Sequence, residues 1–185
     1  MINFPTNKSK NILITGRPRV GKSSLIKCCA SWLGPRAGGF FTEEVQGEGI
    51  RGRSGFRLQT LDGQTGMLAE VDISSPYRLG RYGIHIEVLD HLAVPALLSA
   101  LQDVNKEWIL VDEIGKMEEQ SEDLKKLLLK SLDSHKRVLA SIRWHDSPFT
   151  RLIKAREDVG IFKLTVPNRE ECYLQIKKII SNQEG

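Results

Sequence analysis

Residues Gly16, Arg17, Pro18, Arg19, Val20, Gly21, Lys22 and Ser23 fit the pattern G-x-x-x-x-G-K-[ST], which is built to hold a polyphosphate. Glycines at its two ends let the backbone turn tightly and bring N–H groups within hydrogen-bonding range of phosphate oxygens. Lys22 has the reach for the β- and γ-phosphates, and the Ser23 hydroxyl can ligate Mg²⁺. Ser24 follows directly and joins the candidate nucleotide-binding set. A second carboxylate-bearing run, Val111-Asp112-Glu113-Ile114-Gly115-Lys116, ends the apolar stretch Trp108–Val111. An aspartate at the end of a buried strand commonly holds Mg²⁺ in phosphate-transfer enzymes, and a neighbouring glutamate can position an attacking water. The expected roles are therefore Lys22 and Glu113 in catalysis, Ser23 and Asp112 at the metal, and the two runs together around the nucleotide. Two alternatives stay open: a carboxylate pair on a solvated turn, and a structural ion pair between Glu113 and a nearby cation.

These residues need elements to position them. Ile12-Leu13-Ile14 has the bulk and length of a buried parallel strand. Leu25, Ile26, Cys28, Cys29 and Trp32 recur at helical spacing, so the loop opens a helix whose positive end faces the phosphates. After Gly34-Pro35, residues 38–45 read as a strand and 46–55 as a turn-rich loop. Residues 56–60 and 66–71 flank Asp62-Gly63 and predict a β-hairpin. Residues 74–83 look irregular, followed by a short strand over 84–88. An amphipathic helix is expected from Val94, with Leu97, Leu98, Leu101 and Val104 on its stripe. Further helices carry Leu124, Leu127, Leu128 and Leu132, then residues 149–155. A last helix starts at Asn168, with Glu171 as capping-box partner and Cys172, Ile176, Ile179 and Ile180 inward. Strands are expected at 138–142 and 161–166. The alternation predicts an α/β fold of the phosphate-loop type: a mainly parallel sheet flanked by helices, with a β-hairpin insertion around residues 40–88. The 185 residues suit a single domain.

Composition narrows the function classes. The formal charge of +4 is spread over scattered Lys and Arg with no dense basic tract, so a nucleic-acid partner is not indicated. No apolar run approaches the roughly 18 residues that a membrane span needs. Residues 1–10 read as a polar lead-in without a signal-peptide core. Cys28, Cys29 and Cys172 share no metal-ligand spacing, nor do His85, His91, His135 and His145. Reduced thiols fit a cytoplasmic location. Trp144-His145-Asp146 sits where an aromatic side chain either meets a base or simply packs.

At this point the chain resembles a family, the small nucleoside triphosphatases of bacteria and archaea that have a human cancer-related relative. The resemblance rests on G-R-P-R-V-G-K-S at 16–23, G-G-F-F-T-E-E-V at 38–45, R-S-G-F at 53–56 and G-R-Y-G-I at 80–84. It continues through V-P-A-L at 94–97, V-D-E-I-G-K-M-E at 111–118 and T-V-P-N-R at 165–169. It implies Mg²⁺-dependent hydrolysis of ATP, GTP, CTP and other nucleoside triphosphates to diphosphate and phosphate, with broad base preference and slow turnover. It adds Lys116 and Arg169 as secondary candidates near the nucleotide, although Asn168 and Arg169 also suit a plain helix start. One departure stands out: the family usually has glycine where this chain has Arg19. If that position needs a positive φ, arginine costs about 1 kcal/mol there. Phosphate-loop enzymes often need a supplied arginine for speed. Arg17, Arg53, Arg81 and Arg143 are the internal candidates, unranked by sequence. A nucleotide or small-molecule kinase, needing an acceptor pocket, is one rival reading. A nucleotide-dependent RNA- or protein-binding switch is the other. A monomer is the expected state.

Overall fold

Strand β1 (Asn11–Thr15) is buried along its whole length, and its side chains alternate between two separate apolar layers. Ile12 and Ile14 meet α1 (Lys22–Leu33) and α6 (Arg169–Ser181) through Leu25, Ile26, Cys29, Leu33, Cys172, Ile176 and Ile180. Leu13 faces the opposite layer, formed by α3 (Val94–Gln102) and α4 (Glu122–Asp133) with Leu97, Ala100, Leu124, Leu128 and Leu132. A strand buried on both faces is what the uninterrupted apolar run predicted.

The computed structural model describes residues 9–46, 53–71 and 73–181. The expected lead-in over 1–8 and the loop segment 47–52 lie outside the described residues. The remaining strands are β2 (Ala37–Gln46), β3 (Arg53–Thr60), β4 (Thr65–Val71), β5 (Arg78–Leu79), β6 (Tyr82–Ile84), β7 (Trp108–Ile114), β8 (Arg137–Ile142) and β9 (Val159–Lys163). They form one sheet in the order β5-β6-β4-β3-β2-β7-β8-β1-β9. The half from β2 to β9 is parallel, and β3, β4, β6 and β5 extend it antiparallel from β2. The hairpin insertion is therefore a continuation of the main sheet. Among the described residues no helix is long and apolar enough to cross a membrane.

Several local expectations need correction. The strand placed at 84–88 stops at Ile84, and a helix begins at Ile86, running through α2 (Ile86–Val88) and a wider π-type turn (Leu89–Ala93) into α3. The apolar run there serves a helix because Leu89, Ala93 and Leu97 fall on one buried face. Residues 74–83 are not wholly irregular, since β5 and β6 pair across Arg78–Gly83 and Leu79–Tyr82. In α3, Leu97 and Ala100 face the core, whereas Leu98 is half-exposed. Val104 lies past the helix end, fully open to solvent, because the Asp103 carboxylate captures the Asn105 N–H (2.9 Å) and turns the chain. Asn168 does not form the capping box expected with Glu171. Its Oδ1 accepts from Thr165 N–H (2.7 Å) and its Nδ2 donates to Lys163 O (2.9 Å), tying the loop back onto β9. The box that does form joins Ser147 and Thr150 at the start of α5 (Pro148–Lys154).

Glycine matters most at Gly39, where φ is +130° and a Cβ would lie 1.9 Å from Leu110 O. This is how β2 can lie against β7 at the register Gly39–Leu110. Gly39→Ala is accordingly expected to destabilise the protein by about 3 kcal/mol or more, read as a lowered midpoint in denaturant unfolding.

Candidate active site

The parallel strands β1, β7 and β8 deliver three segments to one end of the sheet. From β1 the chain enters the glycine loop, which packs so closely that a Cβ on Gly16 would meet Leu164 O at 2.5 Å. Gly21 caps α1 with φ +104°, and neither a side-chain cap nor an acidic first-turn residue occupies the helix's free N–H groups. A 12-residue helix left open in this way attracts an anion. Lys22 is buried, with Nζ donating to Gly16 O (3.3 Å) and lying 3.5 Å from Glu113 Oε2. The cation beside Glu113 is therefore the phosphate-loop lysine.

Asp112 and Glu113 owe their placement to a break in register. β7 and β8 pair at Val111–Ala140 and again at Ile114–Ile142; between these pairs β7 has Asp112 and Glu113 where β8 has only Ser141. An extra residue of this kind bends a strand and re-aims its side chains. Ser141 Oγ donates to Asp112 Oδ1, while Asp112 Oδ2 is fully buried without a hydrogen-bond partner. Burial pushes the Asp112 carboxyl up from its ordinary pKa, against the pull of the Ser141 and Ser23 hydroxyls and of Lys22. Burial likewise raises Glu113, opposed chiefly by Lys22. An orphaned carboxylate oxygen beside a serine hydroxyl fits a hard divalent cation. Among the described residues no group of three or more His, Cys, Asp or Glu is arranged around a metal. An ion bound through one carboxylate, one hydroxyl and substrate phosphates needs no such group.

A cavity of about 580 Å³ joins these parts. Of the sequence-predicted site residues, Gly16, Pro18, Arg19, Lys22, Ser23, Asp112, Glu113, Gly115 and Lys116 line it. The other candidates are positioned differently. Val111 and Ile114 are fully buried in the core, and Val20 packs under the loop, so these three hold the site from behind. Arg17 and Ser24 are exposed beside the cavity lining. Arg169 lies over Gly21, 3.2 Å from where a Cβ would stand. Of the candidate arginines, Arg143 lines the cavity and lies 3.8 Å from Glu119, whereas Arg81 is on the β5–β6 turn with its guanidinium toward Tyr82. The side chain of Arg53 lies outside the described residues. Trp144 and His145 also line the cavity, and the Lys163 ammonium sits over the Trp144 ring at 4.8 Å.

Sequence reasoning gave no role to Glu118, although it closes the quoted D-E-I-G-K-M-E run. Glu118 is buried in the cavity wall, accepts Gly115 N–H (3.1 Å) and meets the Thr42 hydroxyl at 3.5 Å. Its pKa is pushed up to about 8, first by burial and then by the charges of Glu113 and Asp112. A carboxylate three residues after a glycine turn could have flagged the Gly115 contact; its burial could not be read locally.

Parallel strands that end in an anion-binding loop on β1 and a buried carboxylate on β7 make this a phosphate-loop α/β protein. The family follows from comparison with known proteins. A family model described as NTPase matches residues 11–177, and the chain belongs to that family of nucleoside triphosphatases. Two curated relatives, each called nucleoside-triphosphatase THEP1, come from Thermotoga maritima (44% identical) and Thermotoga sp. strain RQ2 (43%). Each match covers 94% of this chain and 97% of the relative. The crystal structure of THEP1 from the hyperthermophile Aquifex aeolicus superposes with TM-score 0.79 at 34% identity, over 90% of this chain and 96% of that one. The solution structure of a human cancer-related nucleoside triphosphatase gives 0.80 at 29%, over 96% and 100%.

Two predictions follow from this geometry. Arg19 has φ +65°, the left-handed conformation that glycine adopts freely. Arg19→Gly should raise the unfolding free energy by about 0.5 kcal/mol, the relieved strain exceeding the added chain entropy. It should also weaken ATP binding a few-fold by removing a cation from the cavity; unchanged affinity would place that side chain's charge outside the phosphate field. Because the folded pKa of Glu118 lies above its ordinary 4.5, the native chain binds this proton more tightly than the unfolded chain. Its contribution to stability is complete at low pH and is lost as pH rises toward about 8. Melting temperatures should therefore fall across that window in the wild type, and Glu118→Gln should flatten the slope.

Proposed function

We propose that this chain hydrolyses nucleoside triphosphates to the diphosphate and inorganic phosphate with Mg²⁺, slowly and with broad base preference. The observation that carries the reading is the Asp112–Glu113 pair at the bulged end of β7, with Glu113 3.5 Å from the phosphate-loop lysine. In this scheme the loop N–H groups and Lys22 hold the β- and γ-phosphates and take up charge as the transition state forms. Ser23 and Asp112 would hold a Mg²⁺ ion, which supplies further charge neutralisation on the phosphate oxygens. Glu113 orients the attacking water and accepts its proton; a carboxyl raised by burial is better matched to that task than an ordinary one.

The assigned residues all address phosphate, metal or water and none reads a base edge, which supports broad base preference. Slow turnover is supported by Arg143, the one candidate arginine among the described residues that lines the cavity, standing close to Glu119. Cys28, Cys29 and Cys172 are free thiols, which favours a reducing, cytoplasmic setting. The single continuous sheet supports one domain.

The test is phosphate release from ATP, GTP and CTP with Mg²⁺ and no added acceptor. Glu113→Ala should lower kcat by about 100-fold or more while ATP affinity stays within a few-fold. Undiminished release by that variant would remove Glu113 from the chemistry.

A further inference from the structure

Strand β8 lies between β1 and β7, so the residue that follows it emerges between the phosphate loop and the Asp112–Glu113 pair. That residue is Arg143, and its backbone is pinned to both sides. Its N–H donates to Ile114 O (3.1 Å), one residue past Glu113. Its carbonyl accepts from the Thr15 hydroxyl (3.4 Å), one residue before Gly16, and from Lys154 Nζ of α5 (2.9 Å). The side chain therefore starts from a fixed point beside the reacting groups. It is only 18% exposed and lines the cavity with Lys22, Ser23, Asp112 and Glu113. Its charge reaches Glu113: burial raises that carboxyl, and Lys22 and then Arg143 pull it back down. Its ion-pair partner is Glu119, with Nη1 3.8 Å from Oε1, too far for a hydrogen bond. That oxygen already accepts the Ser147 hydroxyl (2.8 Å) at the start of α5. Among the described residues the Arg143 guanidinium makes no hydrogen bond. A largely buried cation with its N–H donors unspent suits an anion that brings charge on several oxygens.

We propose that Arg143 is a catalytic residue, a cation supplied from within the chain that binds the γ-phosphate oxygens as charge develops on them, and that Glu119 restrains it between turnovers. The inference rests on the reading that a triphosphate lies in the phosphate loop with its γ end toward Glu113. The oxygen of the attacking water forms the new bond to the γ-phosphorus, and the bond from that phosphorus to the β–γ bridging oxygen breaks. The diphosphate leaves with that electron pair, and a water proton passes to Glu113. Arg143 exchanges no proton; its planar fork donates to two of the γ oxygens. To reach them the guanidinium gives up Glu119, and the attraction it gives up is subtracted from what the new contact supplies. A contact made chiefly in the transition state appears in kcat rather than in affinity.

The test is a comparison of wild type with Arg143→Ala. The variant is expected to lower kcat for ATP hydrolysis by about 100-fold or more, with ATP affinity within a few-fold, which also shows that the fold and the phosphate loop are intact. With Mg²⁺, aluminium fluoride imitates the phosphoryl group in transfer. It should tighten ADP binding to the wild type about tenfold or more, and that gain should vanish in Arg143→Ala. Glu119→Gln should raise kcat about threefold in the wild type and leave it unchanged in the Arg143→Ala background. An Arg143→Ala variant that keeps its kcat, loses only ATP affinity, or still binds ADP more tightly with aluminium fluoride overturns the catalytic assignment and leaves the hydrolase reading standing. A kcat that does not rise in Glu119→Gln, or rises equally without Arg143, overturns the restraint. A wild type that binds ATP yet releases no phosphate overturns the hydrolase reading and this inference with it.

Discussion

Burying the Asp112 carboxylate at the end of β7 is the constraint on which the rest of the site depends. Taking an ionised carboxylate out of water costs several kcal/mol unless partners replace the lost hydration. Ser141 satisfies one oxygen and the other remains open within the protein. The parallel pairing of β7 with β8 brings Ser141 there, and the bulge that accommodates Asp112 also turns Glu113 toward Lys22. Lys22 is in turn fixed by the glycine loop that β1 can form only because Gly16 lacks a side chain. Each of these supports the next, so three strands and one loop act as a single unit.

The same low-dielectric pocket gathers three carboxyl groups, Asp112, Glu113 and Glu118, whose proton affinities are all raised. Ionised together these groups would repel one another, so a cation beside them is stabilising. The antiparallel extension β3 to β6 joins the main sheet edge to edge, and its Phe56 and Leu79 line the same cavity.

The parts legible in the sequence were those with short-range signatures. The glycine loop, the Asp-Glu pair and the apolar strands β1 and β7 each lie within a few residues, and their spacing is imposed by backbone geometry. The exposed helix α4 showed its buried face plainly because its charged and apolar residues segregate. Reading failed where an apolar run had two possible periods. Residues 84–88 fit a strand as well as the start of a helix, and only the packing of Leu89, Ala93 and Leu97 against the sheet selected the helix. It failed again at Asn168, whose side chain has two competing uses that local sequence does not separate: capping α6 or tying the preceding loop to β9.

The sequence by itself determined the anion-binding loop, the carboxylate pair and the α/β class, because glycine spacing and hydrophobic periodicity act between near neighbours along the chain. Tertiary structure alone decided which arginine faces the cavity, how deeply Glu118 is buried, and that Thr42, Phe56, Leu79 and Met117 share a wall. Those properties depend on strands β2, β3, β5 and β7, far apart in the chain, coming together at one end of one sheet. Burial and charge at a point in space are set by everything packed around it, and no local pattern records that sum.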